Sequence, residues 1–186
     1  MRELQFFKNE KVLFGFGGEY HKPYFQTLSR LLPHLHKCVN VSFIAEYMMI
    51  DSQKMCELIE VVEKRHSKPF WSAILDCIDD ENLGASGFSE FETYGSFIAL
   101  TYPQSYVFKK RKYDRFAKEI IGATPSKAQL KWYARSYEIC GLESWGQETF
   151  LSQLTQYAIV RNLTTPKILR RAKNLYDKLK RCFSKI

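Results

Sequence analysis

The chain has 186 residues, of which 45% are hydrophobic and 26% charged, a globular composition that argues against disorder. No run approaches the roughly 18 consecutive apolar residues of a membrane span, the start MRELQFFKNEKVLFGF lacks the apolar core of a secretory signal, and five scattered cysteines without a CxxC fit reduced thiols better than disulfides or zinc. The net charge of +8 is concentrated at the C-terminus: residues 165–186 hold eight basic side chains against one acid, Asp177, a net +7 that leaves +1 for the preceding 164 residues.

In chain order, KVLFGF (Lys11 to Phe16) reads as a buried strand leaving its sheet at Gly17-Gly18. His21 to Leu32 reads as a helix opened near Pro23, with Tyr24, Leu28, Leu31 and Leu32 on one face. The β-branched and apolar run Val39 to Ile50 predicts a second strand, passing into Asp51 as N-cap of the helix SQKMCELIEVVEKRH, whose inward stripe is Met55, Leu58, Ile59 and Val62. Pro69 opens FWSAILDCI, which ends in the acidic turn DDENLGASG. Ser89 then has Glu92 three residues on, the capping-box spacing, ahead of a helix to about Thr101. Gly122 to Pro125 marks a break, LKWYARSYEICGLESWG is ambiguous between helix and strand, Gln147 to Val160 looks helical, and Pro166 opens the last helix. Strands alternating with helices predict an α/β architecture, helix-rich and poor in strands.

Several chemistries are disfavoured. His34 and His36 at i,i+2 do not share one side of a helix, and no HExxH accompanies them. GFGGE lacks both the dinucleotide and the P-loop pattern, and GASGFSE has neither GxSxG nor a downstream histidine. The dense acids Asp79-Asp80-Glu81 close a helix and read as a solvated turn. Two blocks remain. GEYHKPYF (Gly18 to Phe25) packs acid-base groups, a lysine and aromatics into a glycine-to-helix junction; SEFETYG (Ser89 to Gly95) sets Glu90 and Glu92 at a helix start, where exposed N–H groups favour carboxylates. Plain capping and packing account for these residues equally well. The sharper reading makes one glutamate a general base that deprotonates an acceptor hydroxyl.

The succession GEYHKPYF, EYMMID, VEKRHSKPFWSAILDCID and GASGFSEFETYGSF, spanning about residues 11–100, resembles a family of bacterial and viral glycosyltransferases catalogued mainly as a domain of unknown function. That resemblance implies a nucleotide-sugar transferase of the GT-A type, in which a DxD carboxylate pair holds a divalent metal on the donor diphosphate. No DxD occurs in this chain, so the resemblance implies a partial GT-A-like fold: the acceptor-side portion over residues 1–164, inactive without a nucleotide-binding half. On the same basis Glu90 is the first choice as base, with Glu92 beside it. Tyr20, His21, Lys22, Tyr24 and Tyr94 would bind substrate, as would Glu46 and Tyr47, which stand where histidines are expected. No cofactor is expected in this chain; manganese or magnesium would come only with the DxD half. The partners implied are a nucleotide-sugar donor and a glycan or lipid-linked acceptor, in surface polysaccharide or lipopolysaccharide assembly on the cytoplasmic side of the inner membrane. The rival reading is a non-catalytic binding or scaffolding module.

Residues 165–186 read as a basic amphipathic helix, with apolar Ile168, Ala172, Leu175, Leu179, Cys182 and Ile186 spaced along one stripe. It could lie on an anionic membrane surface or simply dock its stripe on the domain. Nucleic acid is not an expected partner, because no nucleic-acid motif accompanies the charge.

Overall fold

A computed structural model describes residues 4–45 and 47–183. The chain is mixed α/β, about half helical, with few strands. It divides into two compact units, residues 5–110 and residues 111–186 with the first four residues. The expected partition at 164/165 followed a step in charge; the packing boundary instead falls inside the basic run 109–118, where no glycine- or proline-rich linker announces it. Among the described residues no helix is long and apolar enough to cross a membrane.

The first unit is built on a three-stranded sheet in the order β1 (Phe7–Lys8), β2 (Lys11–Phe14), β3 (Tyr106–Phe108), with β1 antiparallel and β3 parallel to β2. Strand β2 is the expected strand. Strand β3 lies about ninety residues further on, because helices intervene between the parallel partners as a crossover requires. Helix α1 (Lys22–Leu31) carries a proline in its first turn, and buries Leu28 and Leu31 together with Leu32 at its C-cap. Helix α2 (Ser52–His66) is capped by the Asp51 carboxylate, which accepts from the Gln53 and Lys54 N–H groups and is thereby held below the usual carboxylate range. Leu58 and Val62 of α2 are buried, as the stripe predicted. Helix α3 (Phe70–Cys77) packs on both α1 and α2. A single turn of 3₁₀ helix (Asp80–Asn82) follows, and Asp79 beside it pairs with Arg30 at 2.6 Å. Helix α4 (Glu90–Thr101) completes the unit; Tyr94, Phe97 and Ile98 join Phe14, Phe43 and Leu58 in its core.

The expected strand over Val39 to Ile50 is not formed. Among the described residues of the segment only Ser42 makes a β-bridge, antiparallel to Gly17. Two further backbone donors of the segment, and the one that follows it, go to side chains: Phe43 N–H donates to Glu92, Ile44 N–H to Ser42 Oγ and Asp51 N–H to Tyr94. A β-rich composition fits any half-buried extended segment, and here the partners belong to α4 instead of a neighbouring strand.

The second unit carries a two-stranded parallel ladder, β4 (Tyr113–Asp114) with β5 (Ile139–Cys140). Helix α5 (Lys118–Ile121) ends at Gly122, whose φ of 79° lies in the left-handed region that favours glycine. Helix α6 (Lys127–Tyr133) opens with a complete capping box between Ser126 and Gln129. The expected single helix over Gln147 to Val160 is two: α7 (Phe150–Leu154) and α8 (Ala158–Leu163). Thr155 sits at the break, donating to Ile120 O at 2.7 Å and accepting from Gln129 Nε2 at 3.0 Å, while Arg161 Nη1 satisfies the Thr155 and Gln156 carbonyls. Helix α9 (Pro166–Phe183) starts at the expected proline and packs on α5. The core of this unit is Ala117, Ile120, Ile121, Trp132, Tyr133 and Leu151.

Candidate functional site

The blocks singled out in the sequence meet at the start of α4. Ser89 caps the helix, its Oγ accepting from Glu92 N–H at 3.2 Å, while Thr93 Oγ1 donates back to Ser89 O at 2.8 Å. The reciprocal half of a capping box is absent, because the Glu92 carboxylate is engaged elsewhere. Its Oε1 accepts from Ser42 Oγ at 2.5 Å and from Phe43 N–H at 3.1 Å. A local capping signal thus resolves into a tether across fifty residues, fastening the irregular segment 42–44 to the helix.

Burial decides between the two glutamates. Glu92 is 2% exposed. Burial pushes its carboxyl up from the ordinary value, against the lowering pull of the Ser42 bond, the nearby Lys37 ammonium and the Phe43 N–H. Enclosed among residues of its own chain, Glu92 has the position of a structural tether, and the catalytic role expected for it is not supported by its surroundings. Glu90, at the first position of the helix, is exposed.

Tyr94 is buried, and its hydroxyl accepts from Asp51 N–H at 2.9 Å. Burial raises its phenol above the usual value. It fixes the residue that caps α2, so it joins two helix starts and does not present itself to a ligand. The next residue, Gly95, lets the Phe43 ring lie on the helix backbone: an added Cβ would fall on three ring atoms, each inside 3.0 Å.

The GEYHKPYF block borders this cluster. His21 Nε2–H donates to Ser86 O at 2.8 Å, which leaves Nδ1 as the acceptor of the neutral ring. Thr27, buried on α1, donates to Gly87 O at 2.7 Å. These two bonds hold the segment leading into Ser89 against the start of α1. Tyr20 is 63% exposed and lies flat on Phe25, with ring centroids 5.0 Å apart and planes 8° from parallel. The Lys37 ammonium sits 5.5 Å from the centre of the same Phe25 ring. Tyr24 meets His21 edge-on at 4.4 Å. Lys22 is exposed at the first position of α1. Tyr47 packs edge-on against Phe6 at 5.6 Å, and Glu46 lies outside the described residues.

A bound divalent metal does not fit this set. Among the described residues there is no group of three or more His, Cys, Asp or Glu side chains able to hold one, and the best-placed carboxylate, Glu92, already has Ser42 and Phe43 as partners. The arrangement offers instead an exposed carboxylate, an exposed aromatic face and an imidazole with one nitrogen free to accept. Ser42, Thr27 and Gly95 complete the scaffold and carry no local motif; their partners lie 50, 60 and about 52 residues away. Comparison with known proteins adds nothing to this geometry: no family model, no curated protein and no solved structure matches the chain.

Proposed function

We propose that the unit spanning residues 5–110 is the acceptor-binding portion of a nucleotide-sugar glycosyltransferase, with Glu90 as the base that takes the proton of the acceptor hydroxyl. The observation that carries this reading is the meeting of His21, Ser42, Asp51 and the GASGFSEFETYG block around the first turns of α4, which leaves Glu90 and Tyr20 exposed. General-base work needs a carboxylate that can reach the hydroxyl it deprotonates, in a site that excludes water once the acceptor is bound. Glu90 is open to an incoming acceptor, and the Tyr20–Phe25 pair offers a flat apolar face of the kind on which a pyranose ring stacks. Helix α4 supplies the rigidity: the Glu92 and Tyr94 tethers fix its first two turns to the segments 42–44 and 51.

The donor diphosphate needs neutralising charge for glycosyl transfer, and no step through a metal is assigned to these residues. The reading therefore gives this chain the acceptor and gives the grip on the donor to groups outside it. Incubating the chain with oligosaccharides, and separately with UDP-, GDP- and CMP-sugars and manganese, with thermal unfolding as readout, tests the division. Stabilisation by oligosaccharides but not by sugar nucleotides alone is the expected pattern; stabilisation by neither refutes the reading.

A second reading, a binding module without chemistry, draws on the exposed apolar surface of α9. The two readings separate on carbohydrate binding and on Glu90→Gln: the first expects oligosaccharide binding that survives Glu90→Gln and transfer that falls by about a hundredfold or more, and the second expects neither binding nor transfer.

A further inference from the structure

Helix α9 is docked the wrong way round for an ordinary surface helix. At about 100° per residue, Pro166, Leu169, Arg170, Lys173 and Asp177 fall on one face, and these are the residues of α9 that are buried or half-buried. The contacts on that face are mostly ionic. Arg170 Nε donates to Asp114 Oδ2 at 2.8 Å, its Nη1 to the Glu119 carboxylate and its Nη2 to Phe116 O at 2.5 Å. Lys173 stands 3.8 Å from Glu119 and 2.5 Å from Asp177. Tyr133, in the core, donates its hydroxyl to the same Asp114.

The apolar stripe therefore faces solvent. Ile168, Leu175, Tyr176, Leu179 and Phe183 are between 49% and 73% exposed. The alternative in which this stripe docks on the domain is not what the packing shows: among the described residues of α9 only Leu169, at the margin of the stripe, packs on the core. Lys167, Arg171 and Lys178 run along one edge of the stripe, all exposed, and make no ion pair among the described residues. Ile186, placed at the end of the stripe by its spacing, lies outside the described residues.

We propose that α9 lies flat on an anionic lipid bilayer, with Ile168, Leu175, Tyr176, Leu179 and Phe183 among the acyl chains and Lys167, Arg171 and Lys178 at the lipid phosphates. Charge selects this occupant. A second copy of the chain on this face would bring the exposed Lys167, Arg171 and Lys178 of one helix up to those of another, whereas anionic headgroups complement them. The Arg170–Asp114–Glu119 cluster holds the helix with its apolar side outward before any lipid arrives, so little ordering cost remains on binding. The inference goes beyond the sugar-transfer reading and does not depend on it.

The test uses the full chain with large unilamellar vesicles of phosphatidylcholine alone, or with about three-tenths phosphatidylglycerol, at low and high salt. Co-sedimentation should be at least about tenfold greater on the anionic vesicles and should fall with salt. The double change Leu175→Ser, Leu179→Ser, at two exposed positions, should lower partitioning at least about tenfold, as should Lys167→Glu with Arg171→Glu and Lys178→Glu. The Tyr176→Trp variant should show quenching by doxyl-labelled lipid beyond that of the parent chain, a readout independent of the other variants' folding. No pelleting, pelleting indifferent to lipid charge, or a Tyr176→Trp variant quenched no more than the parent would overturn the proposal. So would a lipid-free dimer in sedimentation velocity that the Leu175 and Leu179 changes abolish, because it would assign the stripe to a second copy.

Discussion

Gly95 sits in the middle of α4, where glycine is an unfavourable helix residue, and replacing it with alanine in a solvent-facing helix would stabilise by about 1 kcal/mol. The position is buried against the Phe43 ring, and the added Cβ would fall inside 3.0 Å of three ring atoms. Phe43 is itself 1% exposed and edge-packed on Phe14 with centroids 5.9 Å apart, so its ring has no free direction in which to retreat. Overpacking of this kind costs about 1–3 kcal/mol. Moving Phe43 also draws its N–H off Glu92, a bond to a charged acceptor worth about 1.5–3 kcal/mol if fully lost. Against the propensity gain, the net expectation for Gly95→Ala is a loss of about 1–3 kcal/mol. Urea unfolding followed by circular dichroism measures it. A Phe43→Leu background, which vacates the ring's edge, should make Gly95→Ala near neutral, so the pair should show a coupling of at least about 1 kcal/mol. A Gly95→Ala protein more stable than the parent would refute the packing of segment 42–44 on α4, and with it the construction of the candidate site.

Three further outcomes are expected. Glu92 titrates above its ordinary 4.5 in the folded chain, so the stability it contributes is full below that pH and declines as pH rises through its folded pKa; Glu92→Gln, which keeps an acceptor for Ser42 and Phe43, should remove that decline in pH-dependent urea unfolding, and parallel profiles would contradict it. Arg170→Met should destabilise residues 111–186 by about 3–5 kcal/mol by stranding the buried Asp114 carboxylate, as read by the fluorescence of the buried Trp132, and Asp114→Asn in the same chain should restore part of the loss. Glu90→Gln should change stability by less than about 0.5 kcal/mol, since Glu90 is exposed, and on the proposed base role it should lower sugar-transfer turnover by about a hundredfold or more.

Local rules carried the helices of the first unit. Asp51, Pro23 and Ser89 mark their starts through features confined to four residues, and Leu58 and Val62 are inward by periodicity alone. What escaped was decided at a distance. Val39 to Ile50 has strand composition, yet its Phe43 N–H goes to Glu92 and the Asp51 N–H that follows it goes to Tyr94, side chains that the sequence assigns to their own helix. Strand β3 is three residues long and takes its identity from pairing with β2. The break at Thr155 arises from Gln129 and Ile120, far upstream in sequence. Helix α9 shows the limit most sharply: its amphipathic pattern was legible, but which face docks was set by Asp114 and Glu119, and they chose the charged one. At the candidate site the two glutamates looked alike in SEFETYG; a serine fifty residues earlier separates a buried tether from an exposed acid.

Saturation-transfer difference NMR of the intact chain against a panel of oligosaccharides bears most directly on the assignment of an acceptor site to the start of α4. Magnetisation should reach the ring protons of at least one carbohydrate class, and Tyr20→Ala should remove that transfer without altering the melting temperature. No transfer to any carbohydrate, or transfer that survives Tyr20→Ala unchanged, would contradict it.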